Sequence, residues 1–455
     1  MDPAANPGMQ AVGGVAAPTA ARPAASAPVK RSLGTMLWAA AAFFWALYYF
    51  VIFSFGRFTG NDQKIIWSFG PIVLGITVIA MIVSLSPLPV EGVLLLGLGL
   101  WSLTGIGGVA DWQSFFMNLK LIVEMAVVVG SLAIAIRRTG SINWFYVAFV
   151  AAGLFNVAVG IDPGSYARLT DPTSTERQSG LNANPNSLGF FCFMGVLGAL
   201  ALLGGVRNWL LRIVFAGCGG VCIYGILISA SRGAFVALLL SLVLWFLMCF
   251  LDRSKHKFKM LLLIPVLLLA GYFLVQLVLS GTYLGNRLEQ GARMDDGSSR
   301  ARFDLVLIGL RLAVAHPLGG CGLGQFPIAS GTGYYAHNEL VELLGTTGFV
   351  GLFLYYSVYA ILWARLSRSL RFLQDVADRY HVNCVRMALL VVMACGFLFR
   401  PNFLCQETMF LIGLVSGVSL WARDRARTAK ETLSMSLPAQ EPARIGGFSV
   451  QSVTE

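Results

Sequence analysis

Residues 209–251 read WLLRIVFAGCGGVCIYGILISASRGAFVALLLSLVLWFLMCFL, with Arg212 and Arg232 as the only charged side chains. Arg212 lies near the beginning, and Arg232 divides the stretch into two apolar runs. Each run approaches the roughly 20 residues that a helix needs to cross about 30 Å of membrane hydrocarbon. The stretch therefore predicts a hairpin of two transmembrane helices, with Ser229-Ala230-Ser231-Arg232-Gly233 as its very short turn.

Apolar runs of this kind recur along the chain. A mean hydropathy of +0.72, with 56% hydrophobic and 12% charged residues, excludes an ordinary soluble globule. We predict an all-α integral membrane protein of about twelve spans, near residues 34–55, 65–86, 90–110, 117–136, 143–161, 187–205, 209–228, 231–251, 260–280, 338–363, 385–400 and 403–421. The expected organisation is a disordered tail (1–33), a transmembrane domain (34–422) and a second tail (423–455).

The distribution of positive charge predicts the orientation. Most Lys and Arg residues fall in alternate connections between the predicted spans, as they do in cytoplasmic loops. Both termini are therefore expected in the cytoplasm, and two longer connections, 161–186 and 281–336, on the outer side. The net charge of +11 does not indicate nucleic-acid binding, because the basic residues are scattered between apolar spans.

A minority of cations is expected in outward loops, against the usual bias, and includes Arg177, Arg232, Arg300, Arg302 and Arg400. An arginine fork binds phosphate oxygens through two parallel charge-assisted hydrogen bonds, so an anion outside the membrane would explain this placement. Snorkelling towards lipid headgroups explains Arg232 equally well, and a simple turn explains the residues that follow Arg400.

A helix is predicted from Arg302 to Ala315. Arg300, Asp304 and Arg311 share one polar stripe of this helix, whereas Arg302 points about 200° away from Arg300, towards the apolar face. A cation there requires a partner from elsewhere in the protein.

His337 precedes the tenth predicted span in Tyr335-Ala336-His337-Asn338-Glu339. The partial positive charge of a helix N-terminus disfavours a protonated imidazole, and a neutral imidazole can accept a proton as a general base. An interfacial anchor is the simpler reading of the same position. Asn184, before Pro185 and Asn186, is expected to cap the sixth span, although direct binding is possible.

Neither metal nor cofactor is expected. The outward acidic residues are dispersed, and the eight cysteines contain no CxxC pair. The glycines from Gly319 to Gly324 are interpreted as a turn, and Gly345, Gly348 and Gly351 as positions of close helix packing.

Three stretches, in this order, resemble the O-antigen ligase and polymerase superfamily. They are Gly180–Asn186, Ser229–Gly233, and Arg302 through His316-Pro317-Leu318-Gly319-Gly320-Cys321-Gly322, which leads to His337-Asn338-Glu339. The resemblance covers about residues 160–365. The Arg-x-x-x-Leu signature of the family is absent at Arg302, which Val306 follows, so either Arg300 or Arg302 is the equivalent arginine.

The resemblance implies a C-type glycosyltransferase-like fold and a metal-independent enzyme at the periplasmic face of a Gram-negative inner membrane. The implied donor is glycan on undecaprenyl diphosphate, and a ligase would transfer it to lipid A–core. His337 is the expected base, and the expected diphosphate-binding residues are Arg232, Arg302, Arg300, Arg177 and Arg400. Further substrate contacts are expected from Asn184, Asn186, Tyr335 and Asn338.

Other functions stay open. A polymerase or a protein O-oligosaccharyltransferase of the same superfamily would use the same residues, and a polytopic transporter or lipid flippase is the alternative from another class. We expect contact with membrane lipids, no nucleic-acid partner, and a monomer.

Overall fold

A computed structural model of the chain describes residues 33–56, 62–160, 178, 184–250, 265, 269, 271–273, 275–276, 280, 282–293, 297–398 and 402–436. Within these residues the regular structure is entirely helical. The main helices are α1 (Leu33–Val51), α2 (Asp62–Ser84), α3 (Val90–Ser102), α4 (Trp112–Thr139), α5 (Asn143–Gly160), α6 (Pro185–Gly205), α7 (Trp209–Ser229), α8 (Arg232–Trp245), α9 (Tyr283–Ala292), α10 (Gly297–Ala315), α11 (Glu339–Leu370), α12 (Val376–Leu398) and α13 (Gln406–Ser436).

The prediction of an all-α integral membrane protein is confirmed. In the described part of the chain, nine helical stretches are long and apolar enough to cross a membrane, and each coincides with a predicted span. The second predicted span is α2, whose apolar part is Ser68–Ser84. The ninth, 260–280, lies mostly outside the described residues. Helix α13 continues to Ser436, into the segment predicted as a tail.

Helix α6 lies deepest in the bundle, with about four fifths of its apolar stretch buried. Glycines allow its neighbours to approach closely: a Cβ on Gly195 would lie 3.4 Å from Gly153 Cα of α5 and 2.6 Å from Cys222 Sγ of α7. Lipid is as apolar as these side chains, so close packing contributes much of the attraction between transmembrane helices. Small residues in this sequence therefore decide which spans are neighbours.

Helix α11 is broken at Gly348, whose backbone adopts φ 68° and ψ −171°. The break leaves the carbonyl groups of Gly345, Thr346 and Thr347 without helical partners. They accept hydrogen bonds from Cys321 N (2.8 Å), Gly322 N (3.1 Å) and Trp101 Nε1 (3.0 Å), respectively. A broken helix is tolerated in a membrane protein only where its polar groups are satisfied in this way.

The glycine-rich turn, from Gly319 to Gly324, packs on α11 at this break. Phe349 N donates to Pro317 O at 2.8 Å, and a Cβ on Gly320 would overlap the backbone of Thr346. The predicted turn is confirmed, and it packs backbone to backbone on α11. Gly348 is therefore not the helix-packing glycine that the sequence suggested, because its left-handed conformation is what breaks the helix.

Gln325 ties the same turn to the segment before α4. Its buried side chain accepts hydrogen bonds from Ala110 N (2.9 Å) and Asp111 N (2.8 Å) and donates to Asp111 O (2.9 Å). Asp111 caps α4 by accepting from Ser114 N. Gln325 thus joins the beginning of α4 to the glycine-rich turn that packs on α11.

We expect Gly348→Ala to destabilise the protein by roughly 2–3 kcal/mol or more. A Cβ at this position would lie 2.0 Å from Leu318 O, in addition to the strain of φ +68°. Thermal unfolding of the detergent-solubilised protein, followed by tryptophan fluorescence, measures the effect.

Gly331→Ala is the matched control, because Gly331 has φ +69° but no atom within 4 Å of its Cβ position. Alanine at position 331 has the strain of a positive φ but does not collide with another atom. Equal destabilisation by the two substitutions would show that docking of the turn on the broken helix contributes little.

Candidate active site

A cavity of about 460 Å³ opens at one end of the helical bundle, between helix ends and connecting segments. Its lining includes six of the predicted site residues: Asn184, Asn186, Arg232, Arg302, Tyr335 and His337. These residues come from four separate parts of the chain, and folding gathers them around one space. Ser114, Asn118, Arg287, Glu342, Cys395 and Cys405 also line it.

The cavity and the basic loops lie at opposite ends of the bundle. Helix α4 contributes Ser114 to the cavity near its first turn, whereas Arg137 in its last turn forms an ion pair with Asp424 (2.7 Å). Helix α11 begins beside His337, and Arg365 towards its other end pairs with buried Glu91 (2.6 Å). The cavity is therefore at the beginning of these two helices, and the cations of the alternate loops are near their other ends.

His337 is held in a left-handed backbone conformation, φ +55°. This conformation costs free energy for a residue other than glycine, so the surrounding contacts must impose it. On one side of His337, Ala336 N donates to the Glu342 carboxylate at 2.5 Å. On the other side, Asn338 accepts from Val341 N at 3.1 Å and caps α11. These two contacts fix the chain on both sides of the imidazole.

The imidazole of His337 is half-buried, and its ring lies 4.0 Å from the Tyr335 ring between centroids. Burial, together with the charge of Arg302, lowers the pKa of His337 to about 4. His337 is thus neutral at neutral pH, as expected from its position before a helix. A neutral ring beside cations can accept a proton and does not add to their mutual repulsion.

Arg232 is the first residue of α8, directly after the cap residue Ser231, whose hydroxyl accepts from Ala234 N. Its guanidinium donates to Arg287 O (3.2 Å) and to Ser299 Oγ (3.3 Å). These contacts within the protein orient the side chain and favour the binding interpretation over snorkelling. The predicted tight turn aims Arg232 into the cavity.

Arg287 was not among the predicted site residues. It lies on α9 and donates through Nη1 to Ala230 O at 2.9 Å, while its own carbonyl accepts from Arg232. Two contacts in opposite directions thus join α9 to the Ser229–Gly233 turn. Its place among the cations expected in outward loops was visible from the sequence, but its contacts were not, because its partners lie more than fifty positions away.

Of the two arginines that the sequence left open, Arg302 lines the cavity and Arg300 does not. Arg302 lies on the face of α10 that packs on α11, where a Cβ on Gly309 would lie 2.2 Å from Val341 Cγ1. Arg300 is exposed on another face of the same helix. This division follows the helical spacing predicted for the two residues.

Asn184 caps α6, accepting from Asn186 N at 2.9 Å, with Pro185 as the first helical residue. The predicted capping role is confirmed, and both asparagines also line the cavity. Asn338 does not line it: its side-chain amide donates to Phe397 O at 2.5 Å. Two predicted site residues, Arg177 and Arg400, lie outside the described residues.

Glu339, next to Asn338, also contacts the end of α12 and the start of the next segment. Its buried carboxylate accepts from Asn402 N and from Tyr356 Oη (3.2 Å). Asn338 and Glu339 therefore bind the chain on both sides of 399–401, the segment that contains Arg400. Sequence analysis found the His337-Asn338-Glu339 motif but did not separate its cavity residue from its two anchors.

The site is thus a cationic cavity with one neutral imidazole at one end of a helical membrane bundle. No group of three His, Cys, Asp or Glu side chains lies close enough to hold a metal ion among the residues that the structure describes. Guanidinium forks with a neutral base fit an anionic ligand that carries phosphate, next to a hydroxyl that loses a proton. The fold and the cavity define a polytopic membrane protein with a cationic cavity at one end of its helices.

Residues 218–356 match the family model described as O-antigen ligase. This segment is less than a third of the chain, and its match supports the O-antigen ligase and polymerase superfamily that the sequence motifs indicated, a family of glycosyltransferase-like enzymes. The matched segment runs from α7 into α11, so it includes Arg232, Arg302 and His337. A search of curated proteins found no match to the chain.

Gly291→Ala should weaken the binding of inorganic pyrophosphate by roughly 10–100-fold, which corresponds to the loss of one charge-assisted hydrogen-bonded pair. A Cβ on Gly291 would lie 2.1 Å from Arg232 Nη1, so the guanidinium must move although its charge stays. Isothermal titration calorimetry of the purified protein measures the affinity.

Gly297→Ala serves as control, because no atom lies within 4 Å of that Cβ position. Both variants should unfold at the wild-type temperature, since the Arg232 side chain can swing away. Wild-type affinity in Gly291→Ala would mean that the position of Arg232 is irrelevant to anion binding.

Proposed function

We propose that the protein is an O-antigen ligase, which transfers glycan from undecaprenyl diphosphate to a sugar hydroxyl of lipid A–core. The observation that carries the proposal is the single cavity in which Arg232, Arg287 and Arg302 surround a neutral His337. The match of residues 218–356 to this family supports the reaction class. The choice of ligase, donor and acceptor is the proposal itself.

The arginines suit the leaving group of this reaction. A sugar diphosphate develops negative charge on the departing oxygen, and preorganised cations stabilise that charge. Arg232 is already oriented by Arg287 O and Ser299 Oγ, so little reorganisation is needed when the donor binds. In this proposal Arg232 and Arg302 bind the diphosphate, Arg287 supports Arg232, and Arg177 and Arg400 add further cations.

The reaction is a direct displacement. The acceptor hydroxyl oxygen forms a bond to the anomeric carbon, while the bond from this carbon to the diphosphate oxygen breaks with both electrons on that oxygen. His337 takes the hydroxyl proton during the attack. The anomeric configuration inverts because the attack comes from the side opposite the leaving group.

The lowered pKa of His337 is compatible with a role as base. Arg302 and burial together disfavour the imidazolium in the empty cavity. A bound diphosphate brings negative charge next to both side chains, which offsets Arg302 and favours the imidazolium. His337 thus becomes a stronger base when the donor is present, and the free site is not protonated prematurely.

The size of the cavity agrees with a partial enclosure of the donor. A volume of about 460 Å³ is in the range of small-molecule sites, which is enough for a diphosphate and the sugar attached to it. The rest of the glycan and the lipid chain would extend outside. Asn184, Asn186 and Tyr335 are the proposed contacts to that sugar.

The proposed location is the inner membrane of a Gram-negative bacterium, with the cavity at the periplasmic face and both termini in the cytoplasm. The basic ends of α4 and α11, opposite the cavity, support this orientation by the positive-inside rule. A monomer suffices, because every proposed catalytic group comes from one chain.

Purified protein mixed with undecaprenyl-diphosphate-linked glycan and lipid A–core, without added metal, tests the function. A ligase joins the glycan to lipid A–core, whereas a polymerase lengthens the lipid-linked chain. We expect the joined product, and we expect His337→Ala to lose about 10²–10⁴-fold in rate because it lacks the base.

His316→Ala is the matched control for this assay, because His316 is exposed and does not line the cavity. It should transfer glycan at the wild-type rate. If only lengthened lipid-linked chains form, the polymerase is the correct reading. If His337→Ala transfers as fast as wild type, the proposed base is wrong.

The pH dependence should differ between the free and the donor-bound enzyme. With a pKa of about 4, His337 stays neutral above about pH 5, so kcat/KM should be constant on the acid side from pH 7 to 5. The bound diphosphate raises this pKa, so kcat should already fall within that range. Initial rates at low and saturating donor concentrations measure both profiles. A kcat/KM that declines around pH 6.5 would contradict the perturbed imidazole.

A further inference from the structure

Helix α10 carries an apolar stripe that the described part of the protein leaves exposed. The exposed fractions are 51% for Phe303, 41% for Leu307, 43% for Leu310 and 82% for Val314. Their spacing of four, three and four residues places them on one side of the helix. Large apolar side chains in a row on a loop helix call for an apolar environment outside the described protein.

The stripe is separate from the face that α10 uses for packing. Leu305, Gly309 and Ala313 are buried, and Arg302 is on the same side, next to the cavity. The stripe therefore cannot be a misplaced part of the core. It lies about 100° or more around the helix from the packing face.

One edge of the stripe is charged. Arg300 and Arg311 lie about 60–80° around the helix from Phe303, and Asp304 lies about 100° from it on the same side; all three are exposed. An amphipathic helix at a membrane interface has this arrangement, with apolar side chains in the acyl region and Arg towards the phosphates.

The stripe continues into the surface of a membrane span. Leu318, just after α10, is 68% exposed, and the preceding Pro317 accepts from Phe349 N at 2.8 Å. Phe349 and Phe353 are themselves exposed and begin the part of α11 beyond the break at Gly348. At about 33 Å, residues 349–370 are long enough to cross the hydrocarbon. The end of α10 is thus at the level where this span starts.

We propose that α10 lies in the membrane interface beside the cavity, with Phe303, Leu307, Leu310 and Val314 among the acyl chains of phospholipids. Arg300 and Arg311 bind the lipid phosphates. The loop that separates the ninth and tenth spans is therefore partly a membrane-bound element, and the surrounding lipid, rather than another protein, covers its apolar face.

This placement has a consequence that rests on the proposed function. Arg302 is on the same helix as the stripe, so it lies at the depth of the lipid headgroups. The diphosphate of a polyprenyl lipid is at this depth too, since its chain stays in the hydrocarbon. The donor can then reach Arg302 by lateral movement, without lifting its phosphates out of the interface.

Photo-crosslinking in the full-length protein tests the proposal. Benzoylphenylalanine replaces Leu307 or Val314, and the protein is reconstituted in nanodiscs of phosphatidylethanolamine and phosphatidylglycerol. After irradiation, intact-mass spectrometry measures the fraction that has gained a phospholipid. We expect several-fold more lipid adduct at these two positions than at Ala301, which is exposed about 145° from the stripe.

Equal adduct at Ala301 and Leu307, or none at either stripe position, would overturn the proposal. A crosslink to a second copy of the chain would mean that a protein interface covers the stripe, and would overturn it too. The readout does not depend on glycan transfer. Lipid adducts without ligase activity would leave this inference intact and refute the proposed function alone.

Discussion

The interruption of α11 at Gly348 is the constraint on which the site depends. Three carbonyl groups freed there accept hydrogen bonds from the glycine-rich turn and from Trp101. This docking fixes the C-terminal end of α10, and the first turns of α11 fix its middle through Gly309. Arg302, on α10, and His337, directly before α11, are therefore positioned by the packing of these two helices against each other. Without the break, the turn would lose its partners and Arg302 its position relative to the imidazole.

Electrostatics then sets the chemistry of the cavity. Arg232, Arg287 and Arg302 make the space unfavourable for another cation, and burial lowers the pKa of His337 to about 4 in the same direction. In the proposed reaction an anion that enters the cavity would neutralise the arginines and favour proton uptake by the ring. Binding of the donor and activation of the base would then have the same electrostatic cause.

Much of the fold could be predicted because hydropathy is a property of contiguous residues: the runs around Arg232 predicted α7 and α8 and the turn between them. The spacing of residues along a helix is likewise a local property, so it predicted that Arg302 and Arg300 lie on different faces of α10. The contacts of Arg287 and Glu342 could not be predicted, since Arg287 acts through partners distant in the chain and Glu342 through a backbone amide. Gly348 was misread as a packing glycine because a sequence does not reveal a positive φ. Asn338 was expected to bind substrate, but its amide is used by Phe397 O.

We propose that guanidinium groups in this cavity bind a lipid diphosphate beside a neutral imidazole. A structure of the protein in nanodiscs with undecaprenyl diphosphate, determined by cryo-electron microscopy, would show where the diphosphate binds. We expect density for both phosphates within hydrogen-bonding distance of Arg232 and Arg302, with His337 facing the distal phosphate. Diphosphate density elsewhere on the protein, with the cavity arginines uninvolved, would contradict it.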